Sequence, residues 1–356
     1  MAISVTNFDS ILNAALDFYI KGEALLQNIQ ERPLLRALEA KKKTFPGGKE
    51  FISRAVQGAY MADDAAFFKG YSQADTVAYQ HPDNLLRAKY PWKEIHAGIV
   101  LTLTELKQDG ISVVDTLDGS KTAEHSDREL TAITGLLDNK LTDMGESWAM
   151  EMNAMLWGDG SQDAKAVPGL TSLITTTPAV GVTGALNRAT YSWWRNRALV
   201  GADKIAVSAE NQSLTRKLRS EIRQLKRYGA KPDLVLAGSW FIDSLELEVQ
   251  AKGQYTVEGF KNNGKTDIGM ADISIRGVGT VQYDPTLDSM GLGAQAFFID
   301  TRPGGVVLMP MDGEDKKSHT PARPYDQYVI LRAMTWTGGL VAWQLNGCGR
   351  YEATAI

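Results

Sequence analysis

The stretch SDRELTAITGLLDNKLTDMGESWAMEMNAMLWGDG, Ser126 to Gly160, decides how the rest of this chain is read. It opens with Ser126-Asp127-Arg128-Glu129, a capping box in which a Ser hydroxyl and a Glu carboxylate satisfy free backbone N–H groups at a helix start. Leu130, Ile133, Leu137, Leu141, Met144, Trp148, Met152 and Met155 then recur at steps of three or four. That is a single apolar stripe at helical period. Gly158 is expected as the C-cap. The spacing predicts one helix over Asp127–Trp157, roughly 45 Å long at 1.5 Å per residue. A stripe of Met and Trp at this period reads as core rather than as a cofactor pocket.

Upstream of the helix the patterns are shorter. Ile11, Leu12, Ala15, Phe18 and Tyr19 follow helical steps, Pro33 interrupts them, Leu34, Leu35 and Leu38 resume them, and Lys41-Lys42-Lys43 ends the segment. This is an arm with apolar faces, too short to be a domain. After the turn chemistry of Pro46-Gly47-Gly48, Lys49 to Gln57 alternates as a strand does, with Phe51, Ser53 and Ala55 on one side. Lys89 to Leu103 is extended again. The two runs are joined by a Gly-, Ala- and Asp-containing tip that carries Phe67, Phe68 and Tyr71. A two-stranded arm is marginal alone and needs a surface to lie on. Phe67, Phe68 and Tyr71 are therefore the candidate inter-subunit contacts, aromatics being the residues that anchor interfaces.

Downstream, a helix is expected from Ala209 to Tyr228, with Leu214, Leu218, Ile222 and Leu225 on one face and Gly229 as its stop. Its other face carries Arg216, Lys217, Arg219, Arg223, Lys226 and Arg227, most simply a solvated face. Asp233–Ala237 reads as a buried strand, Ser239 to Val249 as a helix, and Ala294–Asp300 as an apolar strand. Gln327–Trp336 and Leu340–Gln344 read as a hairpin about a Gly338-Gly339 turn. The whole is mixed α/β, of the α+β class.

Composition excludes several functions. The 356 residues are 44% hydrophobic and 22% charged, as in ordinary folded proteins. The net charge of −4 is not that of a protein that grips nucleic acid through phosphates. Cys348 is the single cysteine, so neither an intrachain disulfide nor a Cys-based zinc site can form. No basic region leads an apolar stretch at Met1–Asn7, and no apolar run of about 18 residues exists to span a membrane.

One motif points elsewhere. Gly259-Phe260-Lys261-Asn262-Asn263-Gly264-Lys265-Thr266 fits the phosphate-cradling G-x-x-x-x-G-K-[ST] at every position, and Phe297-Phe298-Ile299-Asp300 resembles a strand ending in a metal-binding Asp. A P-loop NTPase is thus the alternative function. Such a loop must lead into a helix whose N-terminus supplies part of the anion field. Here the following residues alternate and are broken by Gly269, Gly277 and Gly279, as a strand is. A polar loop is the reading that fits. Asp159, Ser161 and Asp163 begin like a calcium loop, but Ala164 and Leu170 replace the Gly and bidentate Glu it needs. His81, His96, His125 and His319 form no i, i+4 pair. No catalytic, cofactor-binding or metal-ligating residue is assigned, and an enzyme is not expected.

The order of parts carries a resemblance. A helical arm precedes a long two-stranded loop, which returns through Arg87-Ala88-Lys89-Tyr90-Pro91-Trp92-Lys93. The long capped helix follows, then Trp157-Gly158-Asp159-Gly160, Pro168-Gly169-Leu170, Tyr191-Ser192-Trp193-Trp194-Arg195 and a late pair of strands. Over essentially its whole length the chain resembles the tailed-bacteriophage major capsid proteins of the Hong Kong 97-type fold. The resemblance implies an N-terminal arm at 1–43 and an extended loop at 44–94. It implies a peripheral domain at 95–165 and 302–356, with a spine helix at 127–157, and an axial domain at 166–301. It further implies self-assembly as pentamers and hexamers into an icosahedral head shell. That shell would enclose double-stranded DNA without sequence-specific binding and without a membrane or cofactor. Scaffold, portal and possibly decoration proteins are the implied partners. The virion capsid, assembled in the host bacterial cytoplasm, is the implied location.

Overall fold

The computed structural model describes residues 32–58, 70–76, 79, 85–102, 104, 127–208, 210–251, 274–275, 278–319, 321 and 329–354. In chain order the elements are α1 (Pro33–Ala40), β1 (Phe51–Val56), β2 (Leu86–Pro91), β3 (Lys93–Thr102) and the long helix α2 (Asp127–Trp157). Then come β4 (Val182–Thr183), β5 (Leu186–Asn187), β6 (Arg197–Leu199), α3 (Ser213–Lys226), β7 (Leu234–Ala237) and α4 (Ser239–Ala251). The last are β8 (Ser274–Ile275), β9 (Gly279–Tyr283), α5 (Pro285–Ser289), β10 (Gln295–Ile299), β11 (Val306–Pro310), β12 (Lys317–His319), β13 (Val329–Ala342) and β14 (Gly349–Glu352). The arm helix pattern at 8–31, Ser126 of the capping box and the motif Gly259–Thr266 lie outside the described residues.

Two sheets organise the molecule. The first is built on β13, which pairs antiparallel with β3 along one side and with β11 and β12 along the other. Side chains on a strand alternate between faces, and Ile95, Ala97, Ile99 and Leu101 of β3 pack inward while Glu94, His96 and Val100 are exposed. Against this layer lies α2, which buries Leu141, Met144, Trp148, Met152 and Leu156. The second sheet has the order β6-β14-β10-β7-β9-β8. Its strands β7 and β10 are buried at every position, as strands covered on both faces must be. One face packs on Leu214, Leu218, Ile222 and Leu225 of α3 and Phe241 and Leu245 of α4. The other carries Leu234, Leu236, Phe297 and Ile299 into the core that α2 shares.

The observed helix α2 has the bounds that its periodicity predicts. One other expectation is corrected. The hairpin at Gly338-Gly339 does not exist; β13 runs straight through both residues for 14 residues. The glycines serve close approach instead of a turn. A Cβ on Gly338 would lie 2.7 Å from the Met309 carbonyl oxygen, and one on Gly339 would lie 2.8 Å from that of Pro91. In β1 the inward face is Ile52 and Val56, while Phe51 and Ala55 are exposed. Ile52 and Val56 cover the core beneath the arm, which the local alternation does not reveal.

The far end of α2 is a polar joint. The Trp157 indole N–H donates to Asp284 Oδ2 at 2.9 Å, and its ring meets the edge of Phe297 with centroids 4.9 Å apart. Asp284 Oδ1 accepts from Thr286 N–H at 3.0 Å and so caps α5. Burial pushes the Asp284 carboxyl above its ordinary pKa, while these hydrogen bonds oppose the rise. One turn back, Asn153 donates to the Thr286 hydroxyl at 2.8 Å and accepts from Leu35 N–H at 3.3 Å, adding α1 to the joint. Gly169 then folds back on the helix end, where a Cβ would strike the Leu156 carbonyl oxygen at 2.4 Å.

A second buried carboxylate serves the helical layer. Glu248 of α4 accepts from Leu214 N–H at 2.9 Å, Thr215 N–H at 2.8 Å, the Thr215 hydroxyl at 2.9 Å and Ser208 N–H at 3.3 Å. Gln212, the residue at the N-cap of α3, provides no side-chain cap. The cap comes from the neighbouring helix, and its charge faces the positive end of the α3 dipole.

Two outcomes follow. Trp157→Phe keeps a ring on Phe297 but takes one donor from the buried Asp284. It should lower stability by about 1–3 kcal/mol, the cost of such a lost bond, read as a fall in the urea midpoint; an unchanged midpoint would show that the joint carries no load. Cys348 is fully buried, and burial pushes its thiol up to about 12. At about pH 8 the folded chain should therefore be inert to a disulfide thiol reagent, because only the exposed thiolate reacts. One thiol per chain should appear on unfolding, and prompt labelling of the folded chain would contradict this burial.

Candidate assembly surfaces

The arm is rooted firmly and ends in exposed apolar groups. β1 and β2 pair antiparallel from Phe51–Pro91 to Val56–Leu86. At the root, Ile52, Val56, Ala88 and Tyr90 are buried. The Tyr90 hydroxyl donates to the Ala342 carbonyl at 2.7 Å, and its ring meets Trp343 edge-on at 5.8 Å. Burial raises the Tyr90 pKa well above the usual phenol range. Lys89 N–H donates to the Gly184 carbonyl at 2.9 Å, fixing the arm to the β4–β5 hairpin.

Away from the root, Tyr71, Tyr79 and Leu85 are 74%, 93% and 66% exposed. Such exposure of large apolar groups within one arm is what an intermolecular contact covers. Of the three interface residues expected from the sequence, Tyr71 is exposed, and Phe67 and Phe68 lie outside the described residues. Asp75 closes a turn at the tip by accepting from Ser72 N–H at 2.8 Å and from its hydroxyl at 3.0 Å; these bonds hold its pKa below the ordinary value.

A groove of about 960 Å³ lies between the arm root and the β6 edge of the six-stranded sheet. Its cationic walls are Arg54, Arg195 and Arg227, its aromatic walls Trp193, Tyr228 and Trp343, and among the described residues no Asp or Glu lines it. Arg197 also borders the groove but is engaged by Glu221, with Nη2 to Oε1 at 3.1 Å. The other three arginines have no acidic partner among the described residues. Arg54 sits 5.7 Å from the Trp343 ring centroid and Arg227 5.4 Å from that of Tyr228. Arg195 donates to the Arg188 and Ala189 carbonyls at 2.6 and 2.8 Å. Sequence reading missed this surface, because its members are spread from residue 54 to residue 343. The Trp193-Trp194-Arg195 segment was its only local sign.

The chemical motifs are otherwise engaged. Asp159 Oδ1 accepts from Ser161 N–H at 2.9 Å and Ser161 Oγ at 2.6 Å, and Asp163 Oδ1 from Lys165 N–H at 2.9 Å, so both carboxylates close local Asx turns. Asp300, the residue placed like a metal-binding Asp, is gripped by Arg302 through Nε at 2.9 Å and Nη2 at 2.6 Å, and by Lys231 N–H at 3.0 Å. The described elements flanking Gly259–Thr266 are a helix that ends at Ala251 and a strand that begins at Ser274. On α3, Arg216, Lys217, Arg219, Arg223 and Arg227 are exposed.

No protein-family model and no curated protein matches the sequence. Solved structures do match it in fold. A chain of the cyanophage A-1(L) capsid asymmetric unit is 14% identical, with a TM-score of 0.61 over 90% of this chain and 92% of that one. A chain of the capsid of Myoviridae phage XM1 is 9% identical, with a TM-score of 0.52 over 91% and 92%. A chain from the capsid of an empty GTA particle is 13% identical, with a TM-score of 0.51 over 90% of each. At such identities the likeness is one of fold, and it spans nearly all of both chains. The long helix, the rooted two-stranded arm and the two interlocked sheets together are the Hong Kong 97-type α+β fold of tailed-phage capsid proteins.

Proposed function

We propose that this chain is a major capsid protein, assembling as pentamers and hexamers into the icosahedral head shell around a tailed phage's double-stranded DNA. The observation that carries the reading is whole-chain agreement in fold with the A-1(L) capsid chain, 90% of one on 92% of the other. A rooted arm bearing exposed Tyr71, Tyr79 and Leu85 supports it, since such an arm buries its apolar surface only on a neighbour. Closed symmetry then multiplies modest contacts. The role is structural and not enzymatic, with no cofactor.

The division into parts is proposed on the same basis. The N-terminal arm covers 1–43, the extended loop 44–94, the peripheral domain 95–165 with the strands from 302, and the axial domain 166–301. The pairing of β14 with β6 and β10 supports grouping residues 349–352 with the axial part, and the rest of 302–356 with the peripheral one. Scaffold, portal and decoration proteins are the further partners, packaged DNA is enclosed without sequence recognition, and assembly takes place in the host bacterial cytoplasm.

Negative-stain electron microscopy of the expressed full chain, alone and with its scaffold, tests the reading. Rings of five or six subunits, or closed shells, are expected. A chain that stays monomeric under every assembly condition sinks it. A Lys265→Ala variant should assemble as the wild type does, whereas millimolar Mg-nucleotide binding lost in that variant would favour a P-loop enzyme.

A further inference from the structure

The arginine groove at the β6 edge lacks an anion, and the other half of the same sheet offers a surface of the opposite kind. Helix α4 packs over β9 and β10. Its outward stripe is Trp240, Asp243 and Leu247, at i, i+3 and i+7. Trp240 is 60% exposed and Leu247 39%. Glu246 is half-buried beside this stripe. Neither Asp243 nor Glu246 has a cationic partner among the described residues. Tyr283 of β9 adds a further exposed ring nearby. One surface is thus aromatic and cationic, and the other aromatic, apolar and acidic.

The two surfaces stand apart. β6 is one edge strand, and β9 is followed only by β8 at the other edge. Neighbouring strands are about 4.8 Å apart, so α4, which lies over β10 to β9, stands about 10–19 Å along the sheet from β6, and none of Trp240, Asp243 and Leu247 lines the groove. A single copy cannot fill its own groove. Two complementary patches at different places on one subunit make a head-to-tail contact, and that kind of contact closes rings when the rotation permits.

We propose that the Arg54, Arg195 and Arg227 groove receives the Trp240, Asp243 and Leu247 face of helix α4 from a second copy of this chain. The proposal rests on the shell-subunit reading and names one of its contacts. The aromatic walls take Trp240 and Leu247 out of water, and the arginines meet Asp243 and Glu246. Aromatic and arginine residues in a partly enclosed pocket are where binding energy concentrates, and the charge match fixes which edge meets which.

Charge reversal in the full-length chain tests this. Arg227 and Asp243 are exposed in the single subunit, so Arg227→Glu and Asp243→Arg leave the fold in place, as circular dichroism will report. Each variant alone should raise the concentration for half-assembly by roughly tenfold or more, the scale of a lost interfacial charge pair. The double variant, which restores opposite charges across the contact, should recover most of the loss. Wild-type assembly in both single variants overturns the contact and leaves the shell reading standing. Loss in both without recovery in the double overturns the pairing of these two faces. A wild-type chain that never assembles overturns this proposal together with the reading beneath it.

Discussion

The joint at the end of α2 is the constraint on which the rest of the molecule depends. A long helix packed on one sheet and a compact sheet with its own helices share an apolar core, but apolar contact alone specifies their relation less sharply than a directed bond does. Trp157 joins them through a hydrogen bond to Asp284 and a ring contact with Phe297. Asn153 brings α1 to the same point. A buried carboxylate is costly without donors. Asp284 has them from the helix on one side and from its own capped turn on the other. The joint therefore holds in only one geometry, and the long layer and the compact layer keep a fixed relation.

Other buried charges follow the same logic. Glu248 is answered entirely by backbone N–H groups and a hydroxyl. Arg188, fully buried, donates to the Leu173 carbonyl at 2.6 Å and to Asn196 Oδ1 at 3.1 Å rather than to a carboxylate. These groups fix segments that have little regular structure of their own, around residues 172–196 and 205–215. They add uniqueness of packing more than they add stability.

What could be read from the sequence was what repeats locally. The stripe from Leu130 to Met155 returns at helical steps often enough to give α2 its bounds, and the apolar runs at Leu234–Ala237 and Gln295–Ile299 appear as strands. Gly338-Gly339 misled, because a pair of glycines looks the same whether it turns a chain or admits a neighbour's backbone. Here Met309 and Pro91 decide the matter, and both are far away in sequence. Which face of β1 is inner, Ile52 and Val56 or Phe51 and Ala55, was likewise not legible, since that is set by what the strand is laid upon. The arginine groove was beyond sequence reading altogether. Its walls come from Arg54, Trp193, Arg227 and Trp343, and no period or spacing links them. Nothing local in the sequence sets the buried Glu248 and Arg188 apart from solvated charges, because burial of a charge leaves no local mark.

The pairing of β3 with β13, and of β6 with β14, also orders events in time. Residues 93–102 wait for residues 329–338, and residues 197–199 for residues 349–351. Contacts this distant along the chain form late and slowly, since loop closure must come before they give any return. A nascent chain on the ribosome has the β13 sheet incomplete until residue 342 has emerged, and the six-stranded sheet until residue 352. The arm root shares that delay, because Tyr90 is anchored on Ala342. A truncated chain therefore cannot present a finished edge or a rooted arm. Completion of the arm root and of the β6 edge thus waits on β13 and β14, the last strands to be synthesised.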